Sequence, residues 1–179
     1  MAEILLSSET FIKSVTNISD NVAGKYILSS LREAQEVSLK SIIGESLLEK
    51  LKTLVKDGKI DQEGNLDYKY LVNKCQYYLA YMTIVELIYK VSYKIGNAGL
   101  VKTSDENLQV ATLDEMIAQK EYYQGKADFH CYELQNFILN RRSAFPEVDD
   151  CTCRKIHANL YSAATCGIFL GGARGKRRI

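Results

Sequence analysis

The stretch Asp67–Tyr93, which reads "DYKYLVNKCQYYLAYMTIVELIYKVSY", decides the fold of this chain. Apolar and aromatic side chains recur in it at spacings of three and four residues, in two stripes. The first comprises Leu71, Cys75, Tyr78, Met82, Val85 and Tyr89, and the second Tyr77, Tyr81, Ile84, Ile88 and Val91. This spacing is helical, and a helix that is apolar nearly all round is surrounded by protein. We therefore predict a central helix about 40 Å long.

Three polar side chains interrupt the apolar surface of this predicted helix: Thr83, Glu86 and Lys90. Glu86 could be a buried acid with a raised pKa. The alternative is a single polar strip in which Glu86 and Lys90, four residues apart, form a helix-stabilising ion pair. We favour the second interpretation.

Similar spacings and end signals predict three further helices, at about 22–39, 46–56 and 112–140. Gly44 separates the first two, because glycine reaches backbone angles that other residues avoid. Thr112 and Glu115 have the spacing of a capping box, and Pro146 prevents continuation of the last helix. Ser8 could cap a short N-terminal turn. The predicted class is all-α, a helical bundle with two long helices at about 67–93 and 112–140.

Composition supports a helical globular protein. The 179 residues are 46% hydrophobic and 25% charged, with one proline, no tryptophan, twelve tyrosines and a net charge of +1. Near-neutral charge argues against a molecule that binds nucleic acid over its whole surface. Five cysteines favour free thiols over a disulfide framework. The start of the sequence does not resemble a signal peptide. The most apolar stretch of the chain, Tyr77 to Val91, is too short for a membrane span.

The segment between the two long predicted helices, about 95–111, fits neither the core nor a catalytic site. It reads "IGNAGLVKTSDENLQVA", with two glycines, a β-prone run and a charged tip. We predict a projecting β-hairpin or extended loop that contacts a partner, since an isolated hairpin is only marginally stable. The predicted partner-binding residues are Leu100, Val101, Lys102, Thr103, Asp105 and Glu106.

The C-terminal segment 151–179 lacks a long helical stripe, and we treat it as an extended arm appended to a helical domain at 1–150. An apolar run, Ile168, Phe169 and Leu170, precedes the basic residues Arg174, Lys176, Arg177 and Arg178. These four residues carry a charge of +4. Since the net charge of the chain is +1, the other residues sum to −3. An apolar patch beside a basic end suggests docking, whereas the plainer interpretation is a solvated terminus.

Metal binding and catalysis find little support in the sequence. His130, Cys131, Cys151, Cys153 and His157 are ligand types that zinc prefers. However, the gap in Cys151-x-Cys153 is too short for the usual motif, and neighbouring His130 and Cys131 point about 100° apart on a helix. "GGARGK" lacks the spacing of a phosphate loop, and no nucleophile-elbow pattern occurs. We predict no enzymatic activity and no cofactor.

The many tyrosines of the central helix could stack on bases, line the core, or contact partner proteins. A run at helical spacing is more often core, and we give that interpretation the greater weight. They are Tyr68, Tyr70, Tyr77, Tyr78, Tyr81, Tyr89 and Tyr93.

Several segments resemble the small helical head-to-tail connector proteins of tailed bacteriophages, in the version carried by phages of Bacteroidetes, including crAss-like phages. The resemblance runs from about residue 10 to about 150. It rests on Ala34-Gln35, "IIGESLLEKL" at 42–51, "CQYYLAYMTIVELI" at 75–88, "GNAGLVKTSDEN" at 96–107 and "FPE" at 145–147.

The resemblance implies a non-enzymatic virion protein that assembles in the host cytoplasm as a ring, in the family a dodecamer, beneath the portal. It would join the portal to other neck and tail proteins and extend the channel through which DNA passes without sequence-specific binding. No membrane is involved. The rival from the residues alone is a small nucleic-acid-binding protein that uses the basic C-terminal arm, whose binding would fall steeply with salt.

Overall fold

The structure is a computed structural model that describes residues 4–96, 99–102, 111–148, 152 and 155–156. The helices are α1 (Glu9–Val15), α2 (Gly24–Glu33), a π-helical segment (Ala34–Leu39), α3 (Lys40–Ile43), α4 (Glu45–Lys56), α5 (Leu66–Ser92) and α6 (Leu113–Asn140), with 3₁₀ turns at Glu63–Asn65 and Arg142–Ala144. The all-α class predicted from the sequence is confirmed, and so are the two long helices to within a residue at each end.

Two four-residue strands lie between α5 and α6: β1 (Tyr93–Gly96) and β2 (Gly99–Lys102). They pair antiparallel, with Tyr93 opposite Lys102 and Gly96 opposite Gly99. So small a ladder leaves the helical class unchanged. A projecting, partner-binding arm at this point stays a proposal.

The helix predicted at 22–39 is longer and less regular than its sequence pattern indicated. It continues through the π-helical segment and α3 as far as Ile43. A π-helical segment carries extra residues per turn and rotates the side chains that follow it. Within the segment, Ala34 and Gln35 are fully buried while Val37 is 68% exposed. The predicted break is confirmed at Gly44, where φ is +85°, a left-handed value that favours glycine.

The N-terminal signals of two helices act as predicted. The Ser8 hydroxyl accepts a hydrogen bond from the Phe11 N–H at 3.1 Å, which caps α1. At α6 the Thr112 hydroxyl accepts from the Glu115 N–H, and the Glu115 carboxylate accepts from the Thr112 N–H at 2.7 Å. These bonds satisfy backbone donors that the first turn of a helix leaves unpaired.

The central helix α5 packs against α1, α2, the π-helical segment and α6. Its proposed polar strip is wrong in two details. Thr83 is fully buried and donates to the Leu79 carbonyl at 2.6 Å, so its hydroxyl needs no solvent. Lys90 forms its ion pair with Glu33 of α2 at 2.6 Å, a tertiary contact that the i, i+4 rule does not anticipate.

The helices α5 and α6 run antiparallel along their whole length. Arg141 pairs with Asp67 at one end, and the Lys120 ammonium lies 5.0 Å from the centre of the Tyr89 ring at the other. Between these ends Lys74 pairs with Glu133 at 3.3 Å. Each helix is about 40 Å long, so the pair forms a stiff two-helix support.

The segment that follows α6 returns to the bundle. Phe145 is fully buried and meets the Tyr68 ring edge-on at 5.3 Å, while the Tyr68 hydroxyl donates to the Glu147 carboxylate at 2.8 Å. Burial and this carboxylate raise the pKa of Tyr68 to about 12. Ile156 is also fully buried in the core. The "FPE" stretch therefore anchors the chain after α6.

Candidate functional site

The most concentrated group of aromatic side chains lies where α5 and α6 face each other near mid-length. The His130 ring stacks on Tyr81 at 5.2 Å and on Tyr77 at 5.5 Å, with interplanar angles of 6° and 19°. Phe129 meets His130 edge-on at 5.3 Å, and Phe11 of α1 meets Tyr77 at 5.4 Å. Such offset and edge-on contacts stabilise aromatic pairs beyond the area that they bury.

A cleft of about 210 Å³ opens beside this cluster. It is lined by Asn73, Lys74, Tyr77, Phe129, His130 and Glu133. Burial lowers the pKa of His130 below its ordinary value; Glu133 acts in the opposite direction, and Lys74 and Lys126 add to the lowering. Burial therefore favours the neutral imidazole, which serves the cluster as a flat stacking group.

Only part of the candidate metal set lies within the described residues. His130 stacks between tyrosines, and Cys131 follows it on the same helix. Cys151, Cys153 and His157 lie outside the described ranges. Within those ranges no group of three or more His, Cys, Asp or Glu side chains could hold a metal ion.

The two described thiols are poorly suited to nucleophilic chemistry. Burial raises the pKa of Cys75 to about 12, and burial together with Asp128 raises the pKa of Cys131 to about 11. A thiolate is the reactive form of cysteine, so both groups act as small apolar side chains at neutral pH.

A second depression of about 310 Å³ lies at the far end of the long helices and is mostly apolar. Its walls include Ile18 after α1, Ile84 and Ile88 of α5, and Met116 and Tyr123 of α6. Ala111, the residue that leads into α6, also lines it. The depression therefore lies beside the segment that connects the two long helices.

The exposed surface of α6 carries large apolar side chains. Tyr122 is 55% exposed, Phe129 60% and Tyr132 45%. Leu113, at the start of this helix, is likewise 54% exposed. Spacing would have revealed the outer stripe too, because Ala118, Tyr122, Gly125, Phe129 and Tyr132 alternate steps of four and three residues.

The predicted partner-binding loop is described only in part. Leu100, Val101 and Lys102 belong to strand β2, whereas Thr103, Asp105 and Glu106 lie outside the described residues. The predicted C-terminal docking residues Ile168, Phe169, Leu170, Arg174, Lys176, Arg177 and Arg178 also lie outside them. Both sites, and the boundary of the arm at 151, stay predictions.

These features define a helical bundle with a rigid two-helix support and an aromatic outer surface. The chain belongs to DUF6712, a family of unknown function whose model matches residues 39–158. No curated protein and no solved structure matches the chain. Among the helices of the described ranges, none combines the length and the hydropathy that crossing a bilayer requires.

Proposed function

We propose that this protein is a structural component of a tailed-bacteriophage virion. It forms a ring in the neck, joins the portal to the tail, and extends the channel for DNA. The proposal starts from the resemblance of "IIGESLLEKL", "GNAGLVKTSDEN" and "FPE" to connector proteins. The observation that carries it in the structure is the aromatic surface of α6, which is exposed among the described residues.

An exposed aromatic surface of this kind fits a subunit better than a self-sufficient monomer. Aromatic side chains are enriched at protein interfaces, where they bury large areas at low entropic cost. Tyr122, Phe129 and Tyr132 are each at least 45% exposed along one helix. In a ring, such a surface would be covered by the next copy.

The two-helix support suits a subunit that must keep its shape while DNA passes. The helices α5 and α6 are tied by the pairs Asp67–Arg141 and Lys74–Glu133. The short ladder of β1 and β2 lies at the end of this support and is the base of the proposed arm. We assign the arm to contacts with the portal, other neck proteins or a neighbouring copy.

The proposal assigns no catalytic step and no cofactor to the chain. Its described thiols have raised pKa values, and its described histidine is held between two tyrosine rings. A net charge of +1 fits a channel through which DNA slides without tight phosphate binding.

The experiment is purification and imaging of particles of the phage that encodes the chain. We expect the protein at the neck vertex, in a closed ring on the portal, and a ring-sized complex when it is co-expressed with that portal. The test variant is Phe129→Lys. It places a charge on the aromatic surface without changing the core, and it should prevent ring closure. Absence of the protein from purified particles would refute the proposal.

A further inference from the structure

The outer stripe of α6 has the spacing of a helix–helix seam. Ala118, Tyr122, Gly125, Phe129 and Tyr132 follow one another in steps of four, three, four and three residues. This average spacing of 3.5 residues keeps a stripe in register with a second helix. All five residues are exposed, and Phe129 also borders the cleft beside Lys74 and Tyr77 of α5. A second helix would fit along this stripe of α6.

Gly125 is the least expected residue in this stripe. It lies in the middle of a 28-residue helix, where glycine is unfavourable relative to alanine. Nothing within 4 Å would meet a Cβ atom at this position, and its φ is not left-handed. Neither the space nor the backbone of its own chain requires a glycine here. A close approach by another helix does supply a reason.

A second exposed helical surface lies on α2 and has matching features. Leu28 is 41% exposed, and Lys25 and Arg32, three residues before it and four after it, are exposed on the same face. Val37, 68% exposed, follows in the π-helical segment. Arg32 already interacts within its own chain, but its side chain still reaches solvent.

The charges on these two surfaces are opposite and equally spaced. On α6 the exposed acids Glu121 and Asp128 are seven residues apart, four before Gly125 and three after it. Asp128 also accepts a hydrogen bond from Gln124 at 2.8 Å. The bases of α2 are likewise seven residues apart, three before Leu28 and four after it. With the two helices antiparallel, Leu28 lies opposite Gly125 while both acid–base pairs align.

We infer that α2 of a second copy packs antiparallel on the outer surface of α6, with Leu28 seated in the notch at Gly125. Lys25 then lies beside Asp128, and Arg32 beside Glu121. The two surfaces are different, so the contact is heterologous and each copy keeps one free surface of each kind. Repetition closes a ring or extends a filament. This inference deepens the proposed function, because it names the contact between ring subunits.

The contact can be tested on the purified full-length chain without any phage. Phe129 is replaced by photoreactive p-benzoylphenylalanine, and ¹⁴N- and ¹⁵N-labelled protein are mixed, illuminated at the highest soluble concentration and digested. We expect mixed-isotope cross-links from position 129 to α2. Cross-links only within one chain, to the segment after Ile156 or elsewhere, would overturn the inference. So would intermolecular cross-links to another surface, or no cross-links at all.

Charge exchange provides the second arm of the experiment. The pair Glu121→Lys and Asp128→Lys should lower the cross-link yield about tenfold, and Lys25→Glu with Arg32→Glu should do the same, since facing like charges are strongly unfavourable. All four changes together should restore the cross-link. The control pair Glu63→Lys and Lys56→Glu reverses exposed charges elsewhere and should change nothing. Failure of the fourfold variant to recover, with its helical spectrum intact, would contradict the proposed pairing.

The two proposals fail in different ways. If the protein is absent from virions but the mixed-isotope cross-link to α2 forms, the contact stands and the neck assignment falls. If the protein is present at the neck but cross-links to another surface, the neck assignment stands and the proposed contact falls.

Discussion

Gln35 holds the N-terminal segment of the chain to the core through Leu6. Its side-chain oxygen accepts a hydrogen bond from the Leu6 N–H at 2.8 Å, and its amide nitrogen donates to the Ile4 carbonyl at 3.0 Å. Gln76 of α5 donates to the Leu6 carbonyl at 2.9 Å. Gln35 is fully buried, so these bonds replace those it would make with water.

Replacing Gln35 by leucine should lower the free energy of unfolding by about 2 kcal/mol, since the buried Leu6 N–H loses its partner. Urea denaturation followed by circular dichroism measures the change. Gln62→Leu, in an exposed turn, is the matched control and should change stability by less than about 0.5 kcal/mol. Equal effects of the two substitutions would show that the tether contributes nothing.

Replacing Phe145 by alanine should cost about 3–5 kcal/mol, because the substitution opens a cavity against Tyr68 and Phe137. The control Phe129→Ala removes the same atoms from a side chain that is 60% exposed, and the isolated chain should lose less than about 1 kcal/mol. Thermal unfolding of both variants decides the matter. A Phe145→Ala protein as stable as the parent would mean that the "FPE" anchor does not form.

Replacing Gly125 by alanine should stabilise the isolated chain by up to about 1 kcal/mol, the difference in helix propensity between the two residues. The control is Gly58→Ala. A Cβ would also find open space there, but φ is +66°, so alanine is strained and should destabilise by about 1 kcal/mol. Denaturation at low protein concentration separates this effect from association. Destabilisation by Gly125→Ala would show that the helix needs the glycine for reasons within its own chain.

The stability of the chain should fall on acidification because of His130. Burial and the nearby Lys74 and Lys126, opposed by Glu133, place the pKa of the folded state below the ordinary 6.5. The unfolded chain then binds the proton more readily. The contribution of the neutral ring is complete above pH 6.5 and is lost as the pH falls from there towards the folded pKa.

The measurement is the melting temperature between pH 7.5 and pH 5 for the parent chain and for His130→Phe, which keeps a stacking ring but cannot titrate. The parent should lose more stability on acidification than the variant. His157→Phe serves as the control for the other histidine. Parallel pH profiles for the parent and His130→Phe would exclude the effect.

Much of the secondary structure follows from local pattern. The ends of α5 and α6 were predictable because apolar spacing, the Thr112–Glu115 capping box and Pro146 are local signals. The Gly44 break was predictable for the same reason: a left-handed φ is a property of one residue. The π-helical segment was not predicted, and Gln35 within it is hydrogen-bonded to Leu6, 29 residues away in sequence, a contact that no local pattern contains.

The candidate sites show the same difference between what local sequence patterns reveal and what tertiary packing decides. The aromatic residues of α5 recur at helical spacing, which already placed them in stripes, and those of α6 have such a spacing too. Which stripe faces outward depends on what packs against each helix, and that became visible only when α5 was found to occupy one side of α6. Likewise Lys90 could bond Glu86 by spacing alone, yet it bonds Glu33. Local patterns record what a residue prefers within its own helix. Pairing between helices depends on positions that the whole fold sets, and packing distributes the buried surface among all elements at once.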